Sequence, residues 1–289
     1  MVPTSAGPVG TIASVPDGEV REALIIMGAP GGPCRAGVSA VWARLARELT
    51  ELGIAVLRFD LAAEGDSLLA GADRTREPGW HQEANLAILR DVAPWFLERT
   101  GMSELILVGS CHGARLALEF GAEHRGIKGS FLVVPYLWSV PPGMLPSGQK
   151  AKPSSLPRAA ELFDRGSSDA PAPEPGNGEV EAPSEQTPLE QEMVETCRRA
   201  LEAGPIWMLI GEGDSQKPLE LKERLGSDGE RLEVEVAAGM IIHPVAHPEV
   251  QELVTHRLVE RLTEATGPGA GAERGGGDAS PAAGGKAGA

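Results

Sequence analysis

Five short apolar runs punctuate the chain, and each stops at loop-forming residues. They are Ala23-Leu24-Ile25-Ile26-Met27, Ile54-Ala55-Val56-Leu57-Arg58-Phe59, Leu105-Ile106-Leu107-Val108, Phe131-Leu132-Val133-Val134 and Ile206-Trp207-Met208-Leu209-Ile210. Runs this short and this uniformly apolar read as strands buried on both faces. Helical stripes lie between them. Val41, Trp42, Leu45, Leu49 and Leu52 share one face of a segment from Ser39 to Leu52, which Gly53 ends as a C-terminal cap. Leu86, Ile88, Leu89, Val92 and Phe96 mark a second helix, expected to bend or break near Pro94, and a third runs from about His112 to His124. A fourth opens at Thr187-Pro188, an N-cap followed by proline in the first turn, and carries Leu189, Met193, Cys197 and Leu201 every fourth residue to Gly204. Glu233–Val236 alternates like an edge strand, and Val250, Leu253, Val254, Leu258 and Leu262 mark the last helix. Strands alternating with helices predict an α/β fold: a mostly parallel sheet with helices on both faces, and a ligand site at the carboxyl ends of the strands.

A chain of 289 residues suits one such domain with an insertion. Ten of its 24 prolines fall in residues 141–188, with DAPAPEPGNGEVEAPSEQ among them. That composition buries too little apolar surface to offset the entropy of ordering it. The expected organisation is a loose leader over 1–20, with a short strand at its end as an option, a core over 21–140 and 188–265, a flexible cap or lid insertion over 141–187 holding a short helix near 159–163, and a disordered Gly/Ala-rich tail over 266–289. A formal charge of −15 with no basic cluster argues against a nucleic-acid partner. No run is long enough to span a membrane, and the first twenty residues lack a secretory pattern, so the expected compartment is the cytoplasm. Cys34, Cys111 and Cys197 form no CxxC pair and are expected as free thiols, with a Cys34–Cys111 disulfide as the alternative. No histidine or cysteine pair has the spacing of a zinc site, so no metal is expected. Gly28, Gly31 and Gly32 match neither a phosphate loop nor a dinucleotide fingerprint, and no cofactor is expected.

The chemistry concentrates at Val108-Gly109-Ser110-Cys111-His112-Gly113-Ala114. A strand, a glycine-bracketed turn and a helix would set the Cys111 thiol on a sharp corner, where Gly109 and Gly113 leave room for the turn. A helix N-terminus favours thiolate over thiol. The backbone N–H of His112 would serve half of an oxyanion hole. The loop after Met27 would supply the other half, with Ala29 the first candidate and Cys34 behind it; Pro30 and Pro33 are excluded because they have no N–H. The dull alternative is a small buried cysteine in a tight turn.

ALIIMGAPGGP, GIAVLRFDLAAEGDS, LILVGSCHGA, IWMLIGEGD and a late histidine, in that order, resemble an α/β-hydrolase over residues 20–140 and 200–264. GGPCRAGVSAVWARLAREL with VLRFD, GDS and a cysteine elbow is similar to the exosortase A system-associated hydrolases, in which a cysteine also stands in the usual serine position. His112 stands where that group carries aspartate. The resemblance implies the order nucleophile, acid, histidine, which Cys111, Asp214 and His243 obey. Asp214 would orient the imidazole and His243 would deprotonate the thiol. Glu212 is the alternative acid and His247 the alternative base.

The side chain of His112 is expected either to meet substrate or to face solvent. His81, His124 and His256 read as surface residues, Cys197 as core, and Asp60 and Asp66 as loop-forming carboxylates. The function that follows is an esterase or thioesterase working through an acyl-enzyme on a small or carrier-bound acyl substrate. An acyltransferase passing that group to an alcohol, amine or thiol is one alternative, and a non-catalytic binding protein on the same fold is the other.

Overall fold

The computed structural model describes residues 1–28, 35–67, 82–133, 135, 188–212, 215–237 and 248–266. The expected 141–187 insertion with its 159–163 helix, the tail beyond 266, Thr187, His81 and Cys34 lie outside them. The elements in chain order are β1 (Val2–Thr4), β2 (Gly7–Val9), β3 (Thr11–Ser14), β4 (Glu22–Met27), α1 (Val41–Glu51), β5 (Ile54–Phe59), α2 (Gln82–Thr100), β6 (Leu105–Ser110), α3 (His112–Glu123), β7 (Ile127–Val133), α4 (Pro188–Ala203), β8 (Ile206–Gly211), α5 (Gln216–Leu225), β9 (Leu232–Ala237) and α6 (Pro248–Thr266).

The main sheet has seven strands in the order β3-β5-β4-β6-β7-β8-β9. All pairs are parallel except β3 with β5. The five apolar runs occupy its five interior positions, and the alternating run is the β9 edge, as their burial patterns require. Alternate residues of each strand enter opposite layers. Ile25, Leu57, Leu107 and Met208 pack with Leu89, Phe96, Leu116, Phe120 and Cys197 from α2, α3 and α4. Ile26, Val56, Val108 and Leu209 pack with Trp42, Leu45, Leu49, Val254 and Leu258 from α1 and α6.

Three local expectations change. Residues 1–20 are not a loose leader. β1 and β2 form a hairpin, Ser5 donates to Asp91 on α2 through both its N–H and its hydroxyl, and Val2 and Val9 are buried. β3 then adds the antiparallel edge strand, pairing Thr11 with Phe59. Short polar strands leave little trace in an apolar-run pattern, which explains their omission. Second, α2 runs through Pro94 without interruption as an element. Third, α5 was not expected, because its polar stretch exposes most of its surface and buries only Pro218, Leu221 and Leu225. Leu52 also leaves the α1 stripe: it is the C-cap and is exposed, while Gly53 follows at φ 84 and donates to Thr50 O. No helix among the described residues is long and apolar enough to cross a membrane.

Candidate active site at the β6–α3 corner

β6 ends at Ser110 and α3 starts at His112, so a single residue, Cys111, makes the turn. Its backbone adopts φ 53 and ψ −117. Such a conformation is costly for a residue with a Cβ, by about 1–3 kcal/mol, and persists only where the surroundings enforce it. The enforcement is visible on both sides. The Cys111 N–H donates to Val133 O at 3.1 Å, and its carbonyl accepts from the Ala114 N–H at 3.2 Å.

The two bracketing glycines are needed for space. A Cβ on Gly109 would lie 2.3 Å from Gly113 O, and a Cβ on Gly113 would lie 2.3 Å from Met27 O and 2.7 Å from Gly28 O. The α3 N-terminus therefore presses directly on the end of β6 and on the outlet of β4. Neither glycine is required for a positive φ; both are required for close approach of backbones.

Cys111 is a free, partly exposed thiol; the alternative of a Cys34–Cys111 disulfide involves a residue outside the described ones. Burial raises its pKa, and the hydrogen bond from the His112 N–H opposes that rise. The helix terminus alone thus does not yield the thiolate that the sequence pattern suggested, because desolvation is the larger effect; a proton acceptor is needed. The His112 side chain does not face solvent. It is 1% exposed, and burial, with a smaller contribution from the Arg115 charge, lowers its pKa to about 4. His124 is half-buried, stacking on Phe120 and accepting from the Gly126 N–H, and His256 is exposed. Cys197 is fully buried in the core.

Ala29, Asp214, His243 and His247 lie outside the described residues, but their neighbours are placed. Gly28 abuts Gly113. The Ser215 hydroxyl donates to Glu212 O at 2.8 Å. Residues 238–247 connect Ala237, which is in register with Gly211, to Pro248. The β4, β6, β8 and β9 outlets all lie at the carboxyl edge of one parallel sheet. α6 is tied to β9 by Arg257 with Glu235 and Arg261 with Glu233. Surface depressions of about 710 and 410 Å³ open instead at the amino ends of the strands, the first beside Arg21 and Gly53 and the second beside Lys128 and Ile206. Neither includes Cys111, and sites in such sheets occupy the other end.

Asp60 and Asp66 are loop-forming, as expected, but they also hold Arg35, which the motif reading did not single out. Arg35 Nη1 lies 2.9 Å from Asp60 Oδ2 and Arg35 Nη2 lies 2.5 Å from Asp66 Oδ2. The Asp66 N–H donates to Asp60 Oδ2 at 3.0 Å, and Ser67 Oγ donates to Asp60 O. Arg58, 6% exposed on β5, donates through Nη1 to Arg35 O at 2.6 Å. The sequence signal was a lone arginine inside the apolar run IAVLRF.

Residues 24–165 match the α/β-hydrolase fold family. A search of curated proteins finds no match. Among solved structures, the chain is similar to a dienelactone hydrolase from Anabaena variabilis, at 13% identity and TM-score 0.55 over 91% of this chain and 95% of that one. It is also similar to Est1E of Butyrivibrio proteoclasticus, solved with ferulic acid, at 17% identity and TM-score 0.53 over 89% of this chain and 94% of that one. A lidless serine hydrolase from Xanthomonas campestris aligns at 16% identity and TM-score 0.50 over 91% of this chain and 88% of that one.

Proposed function

The chain has the α/β-hydrolase fold, and on that premise we propose that it is an acyl hydrolase with Cys111 as nucleophile, His243 as base and Asp214 as the acid that orients it. The observation that carries this reading is the strained Cys111 backbone on the strand–helix corner. A merely structural cysteine gains nothing from a φ of 53, whereas a nucleophile gains an exposed position beside the free N–H groups of a helix start. Sulfur in the usual oxygen position also supports the resemblance to the exosortase A system-associated hydrolases.

In the proposed cycle His243 takes the thiol proton and the sulfur attacks the acyl carbon. The His112 and Ala29 N–H groups receive the developing oxyanion. The imidazolium protonates the departing alcohol or thiol, leaving a thioester on Cys111. His243 then deprotonates water, which attacks that thioester and releases the carboxylic acid, and the proton returns to sulfur. The raised Cys111 pKa supports the need for an imidazole base.

The test is mass spectrometry of the full chain after exposure to p-nitrophenyl acetate and a panel of acyl thioesters, together with iodoacetamide labelling near neutral pH. The expected result is an acyl adduct on Cys111 that disappears in water, with labelling of Cys111 slowed by His243→Ala. A stable adduct that leaves only when an alcohol or amine is added would assign an acyltransferase. If Cys111 accepts no acyl group and labels no faster in the wild type than in His243→Ala, the triad is wrong and a binding role replaces it.

A further inference from the structure

We propose that the depression of about 410 Å³ at the amino ends of β7, β8 and β9 is a binding site for a neutral, planar aromatic molecule that carries a hydrogen-bond acceptor. The site is separate from the Cys111 corner and does not depend on the acyl-hydrolase reading. Ile106 lies in its wall, and β6 carries the chain about 16 Å from there to Cys111. The volume falls in the range of pockets that hold small organic ligands.

The strands supply an apolar wall, with Ile106, Phe131, Ile206 and Trp207 lining it. The Phe131 and Trp207 rings stand 5.8 Å apart between centroids, with their planes inclined at 56°. Tilted rings of this kind offer faces and edges against which a third ring packs. The unmet group is the indole. Trp207 is 5% exposed, and its Nε1 is shielded from water with no hydrogen-bond partner. A buried donor left unpaired forfeits its hydration, so an acceptor that reaches it gains more than it would at the surface. The charges of the rim do not select an ion. Arg261 is held by Glu233 and, at 3.4 Å, by Glu264, and Lys128 is held by Glu22. The remaining lining charges, Glu230 and Arg231, are exposed and of opposite sign. What the wall leaves unmet is a neutral acceptor on an aromatic frame.

Because the indole nitrogen is shielded, part of the wall must shift to admit that acceptor. Arg261 is the part suited to move. Its guanidinium carbon stands over the indole, 5.9 Å from the centroid, and its partners Glu233 and Glu264 are exposed. Exposed ion pairs hold a side chain weakly.

The test uses heteronuclear NMR of the isotopically labelled full chain with bicyclic probes of similar size. Chromone is neutral and carries a ketone acceptor. Free indole is neutral and offers only a donor. Chromone-2-carboxylate is the anionic counterpart. None is an acyl ester or thioester, so an inert Cys111 leaves the outcome unaffected, and the hydrolase reading stands or falls separately. Resonances are assigned through bonds, without recourse to variants. Chromone at millimolar concentration is expected to move the Trp207 Nε1–H resonance downfield and to shift the backbone amides of Gly129, Phe131 and Arg231. Free indole is expected to leave the Trp207 Nε1–H resonance in place. Trp207→Phe, which keeps a ring and removes the donor, is expected to weaken chromone binding about fivefold. Cys111→Ala is expected to bind chromone as the wild type does. Circular dichroism reports whether Trp207→Phe folds; if it does not, the wild-type shifts decide the matter. The proposal is overturned if chromone moves none of these resonances, or if it binds without moving the Trp207 Nε1–H. Loss of binding in Cys111→Ala overturns it too, by placing the ligand at the catalytic corner. Tighter binding of the carboxylate than of chromone overturns the neutral class.

Discussion

His112 offers a quantitative test of the corner, because its side chain is almost fully buried and its pKa falls from 6.5 to about 4. The main cause is desolvation of the imidazolium, with Arg115 as the lesser one. A depressed folded value means that the unfolded chain binds the proton more tightly. The resulting stability is fully present above about pH 6.5 and is lost as the pH falls toward 4. Integrating between the two values over the interval from pH 7 to pH 5 gives a loss of about 2 kcal/mol from this one group. The perturbation is His112→Met, which keeps an apolar side chain of comparable length and cannot titrate. Urea unfolding followed by circular dichroism at pH 7 and pH 5 yields the stability of each protein. Carboxylates and other groups contribute to both and cancel in the comparison. The wild type is expected to lose about 2 kcal/mol more than the variant over this interval. If the two lose the same amount within about 0.5 kcal/mol, the linear extrapolation being good to roughly that, then the imidazole is not held neutral by burial and the account of the corner is wrong.

Gly113→Ala places a methyl 2.3 Å from Met27 O, so α3 must move off β4 by about 1 Å; the expected cost is about 3 kcal/mol of stability by thermal unfolding and about 100-fold in acylation rate. Gly18→Ala, with no atom within 4 Å of its Cβ, serves as the control, and an equal loss there would refute the steric explanation. Cys197 is fully buried with its thiol pKa pushed up to about 12, so its labelling by iodoacetamide should follow the urea unfolding curve, while Cys111 labels in the native state. Labelling of Cys197 at the rate of Cys111 in the folded protein would contradict the packing of α4.

Much of this architecture was legible from periodicity. The runs from Ala23 to Ile210 are apolar at every position but Arg58 because interior parallel strands face helices on both sides, and such strands leave a nearly unbroken signature. The β9 edge was legible because Glu233 and Glu235 alternate with Val234 and Val236, although packing leaves Val236 exposed and half-buries Glu235 against Arg257. Gly53 was legible because a helix end at positive φ selects glycine. β1, β2 and β3 were not legible, since strands of three or four residues with polar and proline content gain their stability from α2 and β5. α5 was missed for the same reason, with its buried face limited to a few residues.

At the candidate site, local sequence determined the corner. Glycines two residues either side of Cys111, after an apolar run and before an amphipathic stretch, leave a strand–turn–helix as the consistent solution. Tertiary structure decided what that corner does to its groups. Whether a thiol or an imidazole gains or loses a proton depends on how much water surrounds it and which charges face it, and both are set by packing across the sheet. Hence Cys111 is raised where the helix terminus alone suggested lowering, and His112 is buried and neutral where solvent exposure was an open alternative. The Arg35–Asp60–Arg58 cluster is likewise a product of the third dimension. Arg58 lies on β5 and Asp60 directly follows that strand, but Arg35 reaches them from a different segment only because β4 and β5 lie side by side.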